Sequence, residues 1–551
     1  METKTESSVI KPSTESPSVP CENPNEIILK QLDAIVFLSD PSQVSRKGLK
    51  DMRGIYADNF PELKSKKFQK LMQEFFYRPF TIATSRRLVS KVANFYREYD
   101  SSIVSVLLPD QNISYGVIQI LILKGKAGNL TVSGNQWTSA ENVLGEIHLK
   151  KGDVISQEKL SDDITWLNRN PFQRIDAVFA PGKATGLTDV DFRVKDRFPV
   201  RPYAGYENTG NDLTGDERWY AGLNWGNAFG VPNHLFSYQF TTSSDFEMSL
   251  SHAATYTIPL PWRHLIGVFG SRTDTEADVL APLALKGKSW NVGARYIMPF
   301  RKVEIGDDIL MNHEAEVGFD FKQSDSNLEF GGVPITNTST DINQFTGKYT
   351  MTFQDPHGYT SLVGSIFHSP GGWTDNSKDP KYQAARALTE AQYTYAQAEA
   401  IRSFTLPWDF STFHSFTWQW SDGNLLSSEQ LGFGGRDSIR GYEEREVNAD
   451  EGWIMRHEFR SPPVSFADFF DSKDVNDQLY FLGFWDYGVA KNNRLLPGEN
   501  IDTELSSVGP GVRYTINPYL SAVADYGFQL INSGNNNRFA SRLHLGITLS
   551  Y

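Results

Sequence analysis

From Phe198 to Tyr551, apolar and polar residues alternate with a period of two, and the pattern holds to the last residue. Trp219, Ala221, Leu223 and Trp225 alternate with Tyr220, Gly222, Asn224 and Gly226. Trp290, Val292, Ala294, Tyr296 and Met298 alternate with Asn291, Gly293 and Arg295. The final segment carries Leu543, Leu545, Ile547, Leu549 and Tyr551 on one face and Arg542, His544, Gly546, Thr548 and Ser550 on the other. A period of two predicts strands, whose side chains point alternately to opposite faces. A soluble β-sandwich would turn a charged face outward; here one face is lipid-like and the other is small, polar or charged. The pattern therefore predicts a transmembrane antiparallel β-barrel. Backbone groups in lipid must all be paired, so the strands must close into a ring. About sixteen segments are counted, within the even-numbered range of such barrels. The alternation is weakest near Ile309 to Lys322 and Ile342 to Phe353.

Ahead of Phe198 the pattern is mixed α+β. Ile27 to Leu38 is apolar enough for a strand, and Ser45 to Lys70 is basic and reads as a solvated helical face. Arg87 to Tyr99 predicts a helix with Leu88, Val92, Phe95 and Tyr99 on one side. Strands follow at Ile103 to Leu108 and Tyr115 to Leu123. A second unit runs strand (Asn129 to Val132), helix from Ser139, helix capped by Ser156, then strands Arg174 to Ala180 and Leu187 to Val194. The expected division is a disordered tail at 1–25, α+β units at 26–125 and 126–197, and the barrel at 198–551.

Composition fits this reading. Mean hydropathy is −0.41, and no apolar run approaches the ~18 residues of a membrane helix. A barrel shows lipid only alternate residues, so its sequence stays half polar. The net charge of −13 argues against nucleic acid as a partner. The one cysteine, Cys21, excludes an internal disulfide and a thiolate metal site. Met1 to Asn25 is rich in Ser, Thr, Glu and Pro and lacks the apolar stretch of a secretory signal. His313-Glu314 has no second histidine four residues on. There is no G-x-S-x-G elbow or P-loop, and Gly432-Phe433-Gly434-Gly435 lacks the last glycine of a dinucleotide fingerprint. The expectation is no enzyme, no cofactor and no metal.

Three stretches resemble the outer-membrane transporters of two-partner secretion, of the haemolysin-activator and filamentous-haemagglutinin transporter type. The first holds Asn94-Phe95-Tyr96, Leu108-Pro109-Asp110-Gln111, Tyr115-Gly116 and Val132-Ser133-Gly134-Asn135. It is similar to the family's first polypeptide-transport-associated (POTRA) domain running into the second, although no glycine follows the helix near Asp100. Leu167-Asn168-Arg169-Asn170-Pro171, with Pro181-Gly182, Gly186 and Asp189, resembles the second POTRA domain. Leu431-Gly432-Phe433-Gly434-Gly435 followed by Ser438-Ile439-Arg440-Gly441-Tyr442 resembles the Arg-Gly-aromatic loop of the wider superfamily. Beyond these three, Phe484-Trp485-Asp486-Tyr487-Gly488 matches the superfamily's inward F-x-D-x-G strand.

Alternation gives these residues faces. Phe484, Asp486 and Gly488 turn to the lumen while Trp485 and Tyr487 turn to lipid. Arg456, Glu458 and Arg460 turn inward, as do Gly509, Gly511 and Arg513. Arg440 offers a rigid fork of donors that a carboxylate can accept bidentately. Asp486 and Glu458 are its expected partners, with Gly488, Gly509 and Gly511 expected to clear space for it and Arg513 nearby. Leu549 and Tyr551 form the alternating aromatic ending that the resemblance assigns to the outer-membrane barrel assembly machinery. The resemblance implies residence in the outer membrane of a Gram-negative-type bacterium with the POTRA domains in the periplasm. It implies export of an unfolded secreted partner protein, with outer-membrane lipid around the barrel. A barrel insertase of the same superfamily and a passive diffusion porin remain open as alternatives. Two N-terminal units favour secretion over the first, and their presence disfavours the second.

Overall fold

The computed structural model describes residues 26–100, 104–184, 186–277, 279, 283–306, 308–330, 333–470, 475–498, 501–532 and 540–551. Cys21, the expected tail and the turn just after Asp100 lie outside these residues.

Besides a two-stranded pairing of Ile27–Leu29 with Phe80–Thr81, the N-terminal unit holds two larger sheets, each with its own core. The first has strand order Gly54–Tyr56, Ala34–Leu38, Val117–Lys124, Val104–Leu107. Helices Lys66–Met72 and Ile82–Asp100 cover it, packing Phe68, Met72, Leu88, Val92, Phe95 and Tyr96 against Ile35, Phe37, Ile118 and Ile120. Three expectations change here. Ile27 to Leu38 is two strands, because Leu32 turns into the core and the Asp33 N–H donates to Gly116 O at 2.8 Å. Ser45 to Lys70 is helical only from Lys66: Gly48 and Gly54 adopt φ of 83° and 85°, and Pro61 opens a separate 3-10 turn. Tyr99 is exposed and stacks on Phe95, while Tyr96 is buried; a 3.6-residue period keeps position 99 on the stripe of Leu88, Val92 and Phe95, but it stands in the last turn of helix Ile82–Asp100.

The second sheet has the order Lys126–Ser133, Leu187–Asp196, Gln173–Pro181, with the first two strands parallel. Ser139 and Ser156 cap helices Ala140–Gly145 and Gln157–Leu167 by accepting the N–H of Asn142 and Lys159. Val143, Leu160 and Leu167 pack onto Ile175, Val190 and Phe192.

The second unit is the barrel. Sixteen antiparallel strands close it. They are β1 (Val200–Glu207), β2 (Arg218–Gly226), β3 (Leu235–Thr242), β4 (Ser249–Pro259), β5 (Leu265–Ala277), β6 (Leu283–Pro299), β7 (Ile309–Phe330) and β8 (Val333–Asp355). Then come β9 (Gly358–Pro370), β10 (Gln392–Thr405), β11 (Ser411–Ser421), β12 (Glu451–Arg460), β13 (Asp477–Lys491), β14 (Asp502–Ile516), β15 (Leu520–Gln529) and β16 (Ser541–Ser550). A three-residue strand, Val303–Ile305, decorates the β6–β7 turn. The ring closes where β16 pairs with β1, from Tyr203 opposite Ser550 to Glu207 opposite Gly546.

The register carries one face around the whole ring. Val268, Val292, Val317, Phe345, Ile366, Trp418, Phe459, Trp485, Phe528 and Leu549 all stand exposed on the outer surface, which is the surface lipid covers. β7 and β8 run 22 and 23 residues, beyond the ~9–11 that span a bilayer. Their alternation is weak in sequence because the far halves, such as Gln323 to Asn327 and Asn337 to Asp341, are polar on both faces. At the barrel end remote from Val200, the β9–β10 loop with helix Asp379–Ala385 folds inward. Its Tyr382 joins Ile342, Tyr393, Tyr395, Leu425 and Leu426 in a buried cluster.

Candidate functional site

The segment between β11 and β12, residues 422–450, descends into the lumen. Leu431–Phe433 and Val447–Ala449 pair as a short hairpin that stiffens its two limbs. Ser438 to Tyr442 form the tip. An apolar seat receives it: Ile439, Phe433 and Tyr442 pack with Ile454, Ala490 and Leu505 of the wall.

Arg440 is fully buried at this tip. Its Nε donates to Asp486 Oδ2 at 2.7 Å and one terminal nitrogen to Oδ1 at 2.8 Å. The other terminal nitrogen donates to Glu458 Oε1 at 2.7 Å and stands 3.7 Å from Asp525 Oδ2. The backbone N–H of Arg440 donates to Asp486 as well, at 3.1 Å. The guanidinium lies over the Phe484 ring, 3.7 Å from its centre, so one flat face is covered while its edges are bonded. Such a group has little freedom left; it is held in one geometry.

Gly441 passes against the wall at Gly527. A Cβ on Gly441 would come 2.9 Å from the Gly527 carbonyl carbon, and φ of 90° disfavours any other residue there. Its N–H donates to His544 Nε2 at 2.9 Å, and its carbonyl accepts from Gln529 Nε2 at 2.7 Å. The Tyr442 hydroxyl donates to Ile531 O at 2.6 Å and accepts the Ser506 N–H at 3.2 Å. Ser438 bonds within the loop, its hydroxyl to Gly432 O at 3.3 Å.

Among the other candidates, Arg513 pairs with Asp525 at 2.7 and 2.8 Å and approaches Glu458 only to 3.9 Å. The glycines are placed differently from expectation. Gly488 leaves room for Ile439 and Phe433, Gly509 for Phe484, and Gly511 for Asp525 and Leu482. The glycine that admits the loop backbone is Gly527. Leu549 and Tyr551 lie exposed beside the closing seam, with the Tyr551 N–H donating to Pro202 O at 3.1 Å.

The structure adds residues that the motifs did not single out. Asp525, Gly527, Gln529 and His544 stand on the polar faces of β15 and β16, which alternation identifies as inward; only the depth of the loop brings them to its tip. Among the described residues, four further ion pairs hold the limbs of the loop: Arg436 meets Glu207 at 3.0 Å, Glu443 meets Arg542 at 3.3 Å, and two more are more deeply buried. Glu429 accepts Lys322 of β7 at 2.9 and 3.0 Å, Gln344 at 2.8 Å and the Tyr395 hydroxyl at 2.9 Å. Asp450 accepts Arg386 at 2.5 and 3.0 Å, together with the Leu425 N–H.

A closed sixteen-stranded barrel that keeps an arginine-tipped loop bonded inside its own lumen defines an outer-membrane transporter of the β-barrel class. The family model for the haemolysin secretion/activation protein ShlB/FhaC/HecB matches residues 186–514. That is more than half of the chain, and the chain belongs to this family. Among curated relatives, it is 23% identical over 476 residues to the heme/hemopexin transporter protein HuxB of Haemophilus influenzae (strain 86-028NP), covering 83% of this chain and 79% of the relative. It is 23% identical over 406 residues to the outer membrane transporter CdiB of Dickeya dadantii (strain 3937), covering 68% and 65%. The solved structure of CdiB from Escherichia coli superposes over 98% of this chain and 93% of its own, with TM-score 0.73 at 16% identity. BamA from Haemophilus ducreyi lacking POTRA domains 1–3 superposes with TM-score 0.51 at 12% identity, covering 92% and 100%. At these identities the superpositions speak to the fold.

Proposed function

We propose that this chain carries an unfolded secreted partner protein across the outer membrane, with Arg440 holding the loop that guards the lumen. The buried four-way seat of Arg440 carries this reading. A diffusion pore has no need of a loop whose arginine is bonded to two wall carboxylates and stacked on Phe484. Residues 26–125 and 126–197 act as two POTRA domains. The outer strands of their sheets, Val104–Leu107 and Gln173–Pro181 among them, offer backbone edges to which an extended client can add a strand. HuxB and CdiB bear transporter names, which favours export over barrel insertion. The chain performs no catalysis in this reading. Leu549 and Tyr551 are the ending that the barrel assembly machinery recognises, and lipid covers the outer face.

The test is export of the cognate partner, followed in the medium, by the wild-type chain and by Arg440→Ala. Heat-modifiable gel mobility reports the folded barrel. Loss of export with the folded band retained supports the reading. Full export by a folded Arg440→Ala protein overturns it in favour of a pore.

A further inference from the structure

One arginine of the wall has been left over by the seated loop. Around the tip stand three lumenal carboxylates, Glu458 on β12, Asp486 on β13 and Asp525 on β15. Three wall arginines face the same space: Arg456 and Arg460 on β12, and Arg513 on β14. Arg460 pairs with Glu458 at 2.8 Å and Arg513 with Asp525 at 2.7 Å. Arg440 occupies Asp486. Arg456 has no carboxylate within ion-pair distance among the described residues. It donates instead to two carbonyls of the loop itself, Asp437 O at 3.0 Å and Arg436 O at 3.2 Å, and its Nε is buried without a partner. A half-buried guanidinium held by backbone carbonyls lacks a bonded counter-charge, a costly arrangement away from water.

The register says where its carboxylate is. Arg456 and Asp486 are directly opposed across β12 and β13, both facing inward. Opposed residues have Cβ atoms roughly 5 Å apart, well inside the reach of an arginine. A lumenal cavity of about 260 Å³, lined in part by Arg436, Arg456, Arg513 and Asp525, gives the side chain room to turn. We infer that Arg456 is a further working residue of the transporter: it grips the loop tip while the loop is seated and takes over Asp486 when the loop leaves. The two events are coupled by geometry. Withdrawal of the tip removes Arg440 from Asp486 and removes both carbonyls from Arg456 in one movement. Asp486 and Arg456, both released, are already cross-strand neighbours. The three wall carboxylates around the tip are then paired, as Arg456–Asp486, Arg460–Glu458 and Arg513–Asp525. Arg440 is the surplus cation of this group; outside it, Arg436 leaves Glu207 of β1, which it holds at 3.0 Å while the loop is seated. This is a positioning role; Arg456 need not touch the client. It rests on the proposed role of the loop as guard of the lumen, which requires the loop to leave its seat during export.

The test is a cycle in the full-length chain, read without a client. Heat-modifiability midpoints are measured for Arg440→Ala, Arg456→Ala, the double variant, and the double variant with Asp486→Asn. The expected result is a double-variant fall larger than the sum of the single falls, because only there is Asp486 uncompensated, and recovery on adding Asp486→Asn. If the double variant fails to assemble, recovery of the folded band by Asp486→Asn supports the inference equally. Additive falls, or no recovery, overturn it. In planar bilayers, Arg456→Ala should show the high-conductance open state at least about tenfold less often, since an unpaired lumenal charge raises the energy of that state, and Arg456→Lys should restore it. An unchanged open-state frequency overturns it. Neither readout uses a partner protein. Normal coupling with no export would count against the transporter reading alone, and export without coupling against Arg456 alone.

Discussion

Arg440 and Asp486 meet through three hydrogen bonds, two from the guanidinium and one from the Arg440 backbone N–H, with both side chains fully buried. The third bond ties the position of the loop backbone to the same carboxylate that holds the side chain. The pair therefore sets depth and orientation together. Its net contribution to stability need not be large, because desolvation offsets the attraction. Its contribution to geometry is large.

Arg440→Lys tests geometry against charge. A lysine ammonium is a compact point charge and cannot present a planar fork to Asp486 while reaching Glu458. Losing charge-assisted bonds of this kind costs on the order of 2 kcal/mol. Export by Arg440→Lys should therefore fall close to that of Arg440→Ala, with the barrel folded in both. Secretion assays beside gel mobility would check it; wild-type export by the lysine variant would show that charge alone suffices.

Gly441→Ala should unseat the tip without touching any charge. The methyl group would stand 2.9 Å from the Gly527 carbonyl carbon, and φ of 90° adds strain of about 1–3 kcal/mol. Displacement also breaks the bonds to His544 and Gln529. The measurable outcome is faster labelling of a cysteine placed at Ile439, buried while the tip is seated, with the native cysteine removed. Unchanged labelling there would mean that the loop tolerates the methyl group in place.

How much of this was legible in sequence follows from the range of each signal. Alternation is local, so it set the inward faces of Glu458, Asp486 and Arg513 and the number of strands without any knowledge of the ring. The roles of Asp525, Gln529 and His544 depend on how far the loop falls and on which strands the closure brings opposite it. No local pattern encodes that distance. The glycines show the same limit. Gly488, Gly509 and Gly511 were legible as lumenal, but what each makes room for depends on the packed neighbours, which are Ile439, Phe484 and Asp525 rather than Arg440. Near the first N-terminal sheet, the break after Leu29 is marked by Lys30, Gln31 and Asp33, but the buried Leu32 between them makes the stretch look apolar enough for one strand.

Acid should loosen the first N-terminal sheet and its helices through Glu74. A hydrogen bond from Lys91 at 2.7 Å holds this carboxyl below its ordinary value of 4.5; burial opposes the shift, and the charges of Lys91 and Arg87 add to it. A carboxyl depressed in the folded state adds stability above pH 4.5, and that stability is lost as pH falls through the folded value. Hydrogen-exchange protection of helix Ile82–Asp100, measured in the full chain, should decline below pH 4.5 more in the wild type than in Glu74→Gln. Equal declines would remove Glu74 as the cause.

Lys322 should prove to be the anchor of the loop's first limb. Glu429 is buried to completion and accepts from Lys322, Gln344, Tyr395 and Ser428. Of these only Lys322 carries a charge. Lys322→Ala leaves a buried carboxylate with neutral donors, a loss on the order of 3–5 kcal/mol for a fully buried pair, and less here because Lys322 is partly exposed. Lys322 lies on β7, and the backbone pairing of β7 with β6 and β8 does not involve its side chain, so the ring survives. The damage falls on the loop, whose cheapest relief is to lift Glu429 toward water and to draw the tip with it. Lys322→Ala should therefore raise single-channel leak while leaving the folded band intact. Adding Glu429→Gln should reverse much of the leak, because the amide needs no cation and keeps an acceptor for Tyr395. A Lys322→Ala barrel that is as tight as the wild type would place the anchor elsewhere, first at the buried Arg386–Asp450 pair on the limbs of the loop.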